Sequence, residues 1–279
     1  MKIFLTGGTG FLGKAIKQLL LQHEYFEYRR GDDITQQLRD FCPDAIIHSA
    51  GEIYKEELMI SSNVLLTHTI LEYVRVNKHV KMIYFGSSSE YGKKTTAMQE
   101  RDVCDPQNMY AATKTAGTLM CQAYARAHDC DVCVVRPFSV YGDYEPMHRL
   151  IPTLYDKITT GQHVNLIQGT HDFIYIADFV ELIQKILASP KIITQADVVN
   201  AGTGVCYDNV QVANTFAKVL NMPVQYTLIN KLKECDSPWW VCDVQHAKDQ
   251  YNFVAKFDLE KGLKNYTMYR NEHYAQYSR

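Results

Sequence analysis

The stretch LTGGTGFLG, Leu5 to Gly13, constrains this chain more than any other. It follows KIFLTG, which reads as a strand. It opens the run Phe11 to Gln22, with Leu12, Ala15, Ile16 and Leu19 on one helical face. Gly7, Gly10 and Gly13 fit GxxGxxG, and Gly8, Gly10 and Gly13 fit GxGxxG. Both spacings meet one need: a tight turn, close backbone approach to a pyrophosphate, and close packing of helix on strand. An anion then rests on free N–H groups at the helix start. A glycine turn that merely connects two elements is the plainer reading. The setting, strand before and helix after, is the one a dinucleotide loop demands.

The rest of the chain repeats the alternation. YFEYR reads as a strand, Thr35 to Phe41 as a helix ending before Pro43, DAIIHSAG as a strand and Ser62 to Asn77 as a long helix. KMIYFGSSS is a fourth strand, Asn108 to His128 a helix and DVCVVRPF a fifth strand. Apolar strands alternating with helices imply a parallel sheet covered on both faces, joined by right-handed crossovers. The expected fold is α/β, a doubly wound parallel sheet of the Rossmann kind. After Tyr141 the rhythm loosens. GDYEPMHRLIP reads as a loop entering a helix, followed by HVNLIQ, Asp178 to Ala188, DVVNAG and Asp208 to Leu220 as strand and helix pieces. The expected division is a dinucleotide-binding domain over 1–141, to which later segments return, and a smaller C-terminal substrate lobe over 142–279.

Composition narrows the function. The 279 residues carry a net charge of −2, so no basic surface invites nucleic acid. No apolar run reaches membrane-spanning length. MKIFLTGG enters a strand at once, without signal-peptide anatomy, which points to the cytoplasm. Of eight cysteines, Cys130 and Cys133 form one CxxC inside a strand pattern. Alternation puts them on opposite faces, so reduced buried thiols are expected rather than a metal site.

The second anchor is MYAATKTAG, Met109 to Gly117. Tyr110 and Lys114 stand about one helical turn apart and share a face. An ammonium beside a phenol favours the phenolate. Bringing a tyrosine from ~10 to neutrality needs roughly 4 kcal/mol, which a lysine together with a bound cation could supply. An amphipathic helix with a buried aromatic and a solvated lysine is the plainer alternative. The second strand ends in EYRRGDDIT, with Arg29 and Arg30 where an acidic residue would hold the ribose hydroxyls for NAD. A guanidinium suits a 2′-phosphate, so NADP is favoured, with NAD possible through Asp32.

With these anchors, the chain resembles the extended short-chain dehydrogenase/reductases that act on nucleotide-linked sugars. TGGTGFLG, GDDIT, IIHSAG, SSNVLLT, GSSSEYG, YAATK, RPFSVYG and HDFIYIAD occur in that family's order. The resemblance implies that Tyr110 gives or takes a proton at a sugar oxygen. Lys114 would bind the nicotinamide ribose and lower the tyrosine pKa, and Ser87, five residues before Gly92, would hydrogen-bond the same sugar oxygen. It implies a cofactor held by Gly7, Gly10, Phe11, Leu12 and Gly13, by Arg29 and Arg30, by Asp33 and Ile34 at adenine, by Ser49, Ala50 and Gly51, and by Pro137. Asn63 matches a helix asparagine that supports the site. Ser87, Ser88, Ser139, Arg149 and His171 are the candidate substrate contacts. Pairing of two such subunits into a homodimer through the YxxxK helix is also implied, with Leu119, Ala123 and Ala127 permitting it.

Departures from the family pattern narrow the chemistry. The 4,6-dehydratases carry an Asp-Glu pair where this chain has Ser88 and Ser89, and serine is a poor acid or base at neutral pH. The GDP-fucose synthase branch epimerises with a cysteine and a histidine, where Ser89 and Arg149 stand here; His148 is one residue away. Ser139 replaces a frequent asparagine. His171 replaces an arginine that clamps the substrate diphosphate, and Arg149 is the candidate to compensate. The expected function is an NADPH-dependent 4-keto reductase of a nucleotide-diphospho-4-keto-6-deoxy sugar. The alternatives are a redox-neutral nucleotide-sugar 4-epimerase with bound NAD and, from another class, a non-catalytic dinucleotide-binding regulator.

Overall fold

The computed structural model describes residues 1–190, 196–229 and 237–273. The first half carries strands β1 (Lys2–Thr6), β2 (Glu24–Tyr28), β3 (Ala45–His48), β4 (Lys81–Phe85) and β5 (Asp131–Pro137). Its helices are α1 (Phe11–Leu19), α2 (Ile34–Phe41), α3 (Glu56–Met59), α4 (Leu66–Val76) and α5 (Met109–His128). The second half adds β6 (Ser139–Tyr141), β7 (Val164–Ile167), β8 (Thr170–Tyr175), β9 (Asp197–Ala201), β10 (Cys206–Asp208) and β11 (Tyr226–Ile229). Its helices are α6 (Leu150–Thr159), α7 (Ile176–Ala188), α8 (Asn209–Leu220), α9 (Gln245–Tyr251) and α10 (Leu259–Glu272).

Six strands form one parallel sheet in the order β2-β1-β3-β4-β5-β9. Alternation divides their side chains between two apolar layers. Ile3, Leu5, Ile47, Ile83 and Val135 join α1 and α7 on one face; Phe4, Ile46, Met82, Tyr84 and Val134 join α2, α4 and α5 on the other. Cys133 falls in the first layer and Cys130 in the second, on opposite faces as the alternation requires. Burying each such Leu, Ile or Phe is worth about 1.5–3 kcal/mol. The chain leaves β1 for β2 on one side and returns to β3 on the other. The order therefore reverses between β1 and β3, where a doubly wound sheet leaves its ligand crevice.

Smaller sheets build the wall opposite: β10-β8-β6, and the parallel pair β11-β7. They are not separately cored. One apolar layer runs from Ile3 through Phe179 to Phe216 and Leu263. Helix boundaries differ from the sequence reading in two informative places. The helix expected from Ser62 begins at Glu56, passes through a π-helical turn, Ile60–Leu65, and continues as α4 to Val76. Ser61 does not cap a helix start there; its Oγ donates to Leu58 O at 2.9 Å. The helix expected at Asp208 has that residue as its cap, accepting from Gln211 N. Among the described residues no helix is long and apolar enough to cross a membrane.

Candidate active site

A cleft of about 1410 Å³ opens above the β1–β3 reversal. Gly7, Gly10, Phe11, Leu12, Arg29, Arg30, Ser49, Ala50, Gly51 and Pro137 line it. Gly7 holds φ +74°, and Gly10 N–H donates to Gly7 O at 3.0 Å, which closes the turn into α1. A Cβ at Gly13 would sit 2.3 Å from Gly7 O, and one at Gly7 would sit 2.8 Å from Ala50 N. Both contacts are with backbone, so only glycine lets loop, helix and β3 meet this closely. Gly13 serves this packing from behind the loop. Such a cradle fits a dinucleotide. Asp33 and Ile34 stand outside the lining: the Asp33 carboxylate caps α2 by accepting from Gln36 N at 3.0 Å, and Ile34 is buried under the sheet.

The acidic groups near the end of β2 have internal partners. Glu27 pairs with Lys17, Asp32 accepts from Gln37 Nε2, and Glu52 pairs with Arg30 at 3.3 Å. Arg29 lines the cleft with no ion-pair partner among the described residues.

Helix α5 presses its first turns against β4. Gly117 makes this possible, because a Cβ there would lie 2.1 Å from Tyr84 Oη. Lys114 is buried beneath; its ammonium donates to Phe85 O at 2.6 Å and lies 5.0 Å over the Tyr84 ring. Burial pulls it down to about 8, against the opposing charge of Glu90. Tyr110 lines the cleft beside it. Burial raises the phenol above its ordinary value, and a hydrogen bond with Ser87 works against that rise. Lys114 alone does not offset this rise. The ammonium is engaged by a carbonyl, and desolvation wins.

Behind these two residues lies a saturated polar network. Asn63, in the π-helical turn, accepts from Glu52 N at 2.7 Å and donates to Glu52 O and Thr113 Oγ1, each at 3.0 Å. Thr113 Oγ1 donates to Tyr110 O at 2.9 Å, so Asn63 ties the post-β3 loop to the first turn of α5. Thr67 Oγ1 donates to Asn63 O, so His48 Nε2–H donates to Thr67 and Nδ1 accepts from Thr6 Oγ1. Thr6 Oγ1 in turn accepts from Ala50 N. Burial and then Lys114 push His48 down to about 3, which keeps the ring neutral.

Ser87 caps a short 3₁₀ turn, Ser88–Tyr91, and its Oγ meets Ser89 Oγ at 2.7 Å. Glu90 Oε1 accepts from Ser87 N at 2.8 Å, and Oε2 accepts from Arg136 Nε at 3.0 Å. Both members of this ion pair are buried. Lys114 on Phe85 O and Glu90 on Ser87 N thus clamp the segment between them. Ser88 Oγ accepts from Trp240 Nε1 at 3.0 Å. The sequence reading missed Glu90, Arg136 and Trp240. Only Glu90 left a signal, as the acid three residues after Ser87 in an S-x-x-E capping pattern.

The opposite wall is looser. Ser139, Arg149 and His171 line the cleft, with Glu145, His148, Tyr54 and Asn209. Arg149 pairs with Glu145 at 3.2 Å and lies 5.6 Å over the Phe11 ring. Tyr54 Oη and His148 Nε2 meet at 2.8 Å, both exposed. His171 packs beside Phe173 and Trp240.

A parallel sheet with a glycine cradle at its order reversal, and a tyrosine–lysine helix beside that cradle, defines a Rossmann-fold protein built around a nicotinamide dinucleotide. The family model described as "NAD dependent epimerase/dehydratase family" matches residues 3–202, and the chain belongs to that family. It is an NAD(P)-dependent oxidoreductase of the extended short-chain dehydrogenase/reductase type. Curated relatives include a dTDP-glucose 4,6-dehydratase of Streptomyces niveus, 23% identical over 93% of this chain and 84% of the relative. An uncharacterized UDP-glucose epimerase, YtcB, of Bacillus subtilis is 26% identical over 98% and 99%. Among solved structures, UDP-glucuronic acid 4-epimerase from Bacillus cereus, in complex with UDP-glucuronic acid and NAD, aligns with TM-score 0.87 at 20% identity, covering 98% and 99% of the two chains. RMD from Pseudomonas aeruginosa, complexed with NADPH, aligns with TM-score 0.82 at 19% identity, covering 98% and 99%.

Proposed function

We propose that this protein is an NADPH-dependent reductase of a nucleotide-diphospho-4-keto-6-deoxy sugar, acting at C4. The observation that carries the reading is the charge at the ribose end of the cleft. Arg29 faces it, while Glu27 and Asp32 are held by Lys17 and Gln37 and Asp33 caps α2. A guanidinium there favours a 2′-phosphate. The volume of about 1410 Å³ exceeds an ordinary pocket of about 300–1000 Å³ and suits two ligands side by side. The NADPH complex of RMD and the NAD complex of the Bacillus cereus epimerase show that this fold takes either dinucleotide.

The bound dinucleotide supplies the hydride. The residues of the chain supply position and proton. Ser87 hydrogen-bonds the sugar carbonyl oxygen, and Tyr110, held protonated by burial, donates to that oxygen as it gains charge. Lys114, anchored on Phe85 O, holds the nicotinamide ribose and stabilises the phenolate that remains. Ser88 and Ser89 offer no acid or base for eliminating water. The 4-epimerase reading uses the same three residues and differs in keeping its dinucleotide.

A panel of nucleotide 4-keto sugars with NADPH or NADH, followed by loss of nicotinamide absorbance and product analysis, tests the proposal. NADPH oxidation with a 4-hydroxy product is expected. Purified protein that retains NAD and interconverts sugars without added cofactor establishes the epimerase instead, and binding without turnover establishes a regulator. Tyr110→Phe should lower turnover about 10²–10⁴-fold while NADPH affinity stays within threefold, roughly, as removal of a general acid requires. Unchanged turnover refutes the assigned role.

A further inference from the structure

One charged pair in the cleft takes no part in that chemistry. Arg149 Nε lies 3.2 Å from Glu145 Oε1; the arginine side chain is 38% exposed and the glutamate side chain 2%. The guanidinium covers Phe11, the first residue of α1, and its charge reaches Tyr110. The other carboxylate oxygen accepts from Gly142 N at 3.2 Å. This arginine therefore stands between the dinucleotide loop and the phenol. Its charge is already matched by a carboxylate of the same chain.

We infer that Glu145 is a proton-coupled counter-ion for Arg149: when an anionic group of the substrate engages the guanidinium, Glu145 takes up a proton. The inference rests on the nucleotide-sugar reading and names how that substrate's anion is received. Glu145 is the buried member, and a buried carboxylate that must share its one cation with a second anion is left partly uncompensated, which is costly. Arginine cannot adjust by losing its proton, whereas a carboxylate can gain one. Burial already lifts the Glu145 carboxyl to about 7 with Arg149 in place, and sharing Arg149 with a second anion weakens the one charge opposing that rise. The other groups facing it are the Gly142 N–H from its own loop and Tyr266, backed by Arg270, from α10. His148, on the same loop, is turned to Tyr54. The complex then holds more protons than the free protein, so anion affinity falls as pH rises above about 7.

Calorimetry of the full chain tests this, with UDP, dTDP, GDP and NADPH each titrated at about pH 7.5 in buffers of different ionisation enthalpy. Uptake of about half a proton or more per nucleoside diphosphate is expected in the wild type. Glu145→Gln keeps the shape and the bond to Gly142 N; it should abolish the uptake and flatten the pH dependence of affinity. Arg149→Gln should also abolish the uptake, and His148→Gln should retain it. Binding without uptake, or equal uptake in Glu145→Gln, overturns the inference and leaves the nucleotide-sugar reading standing. Uptake with NADPH and none with the diphosphates overturns the assignment to substrate. Failure of all three diphosphates to bind overturns both.

Discussion

The two walls of the cleft are built by different rules. On the sheet side Lys114, His48, Asn63, Glu90 and Arg136 are all buried, and each has its polar partners within the chain. On the lobe side Tyr54, His148 and Arg149 reach solvent; Tyr54 and His148 share one side-chain hydrogen bond, and Arg149 is held by Glu145 and the Phe11 ring. A saturated network is expensive to disturb and fixes atoms closely; a sparse one adapts. In the proposed reaction the sheet wall therefore suits the step that needs fixed atoms, hydride and proton at one oxygen. The lobe wall suits reception of the substrate's anion and sugar.

The largest effect that could break this contrast lies beneath Ser87. Glu90→Ala leaves the Arg136 guanidinium, 2% exposed, without its counter-charge and takes the acceptor from Ser87 N. The expected loss is about 3–5 kcal/mol of unfolding free energy, read from urea melts. Removing the pair together, in Glu90→Ala/Arg136→Met, should restore most of it. A loss below about 1 kcal/mol for the single change would show that the sheet wall is no more tightly determined than a surface.

A second effect sharpens the contrast through pH. His48 is held near 3 in the folded chain and returns to ~6.5 when unfolded. Its folded value is depressed, so between those values the unfolded chain binds the extra proton and stability falls as pH falls. Between about pH 7 and about pH 5 this amounts to roughly 2 kcal/mol. His48→Gln should start less stable yet lose about that much less over the same interval. Parallel pH curves for the two proteins would mean that the histidine is solvated.

Much of the sheet wall was legible because its parts are local. A glycine turn between strand and helix, and a tyrosine one turn before a lysine, are patterns within nine residues each. Gly117, which lets α5 close on Tyr84, stood inside the quoted motif, but its contact is 33 residues distant and left no pattern. Asp33 shows a second kind of local signal: D-I-T-Q is a capping sequence, and Asp33 caps α2 by accepting from Gln36 N. The charge state of Tyr110 was unreadable in principle. Spacing places a lysine beside the phenol, but whether its ammonium faces that phenol or Phe85 O depends on how β4 meets α5. The lobe wall was least legible because its contacts join distant segments: Ser88 with Trp240, and Tyr54 with His148.

The smallest effect tests the looser wall directly. Tyr54 Oη and His148 Nε2 join the post-β3 loop to the loop before α6 at the cleft mouth, 2.8 Å apart. Tyr54 is 72% exposed, so water replaces the bond at little cost, about 1 kcal/mol or less. Tyr54→Phe should therefore change KM for the sugar substrate by about fivefold at most and leave kcat unaltered, because the bond touches neither Ser87, Tyr110 nor Lys114. Steady-state kinetics of the variant under saturating NADPH reads both constants. A fall in kcat approaching 10²-fold, the size expected of a lost proton donor, would place the mouth within the catalytic wall and erase the distinction between the two.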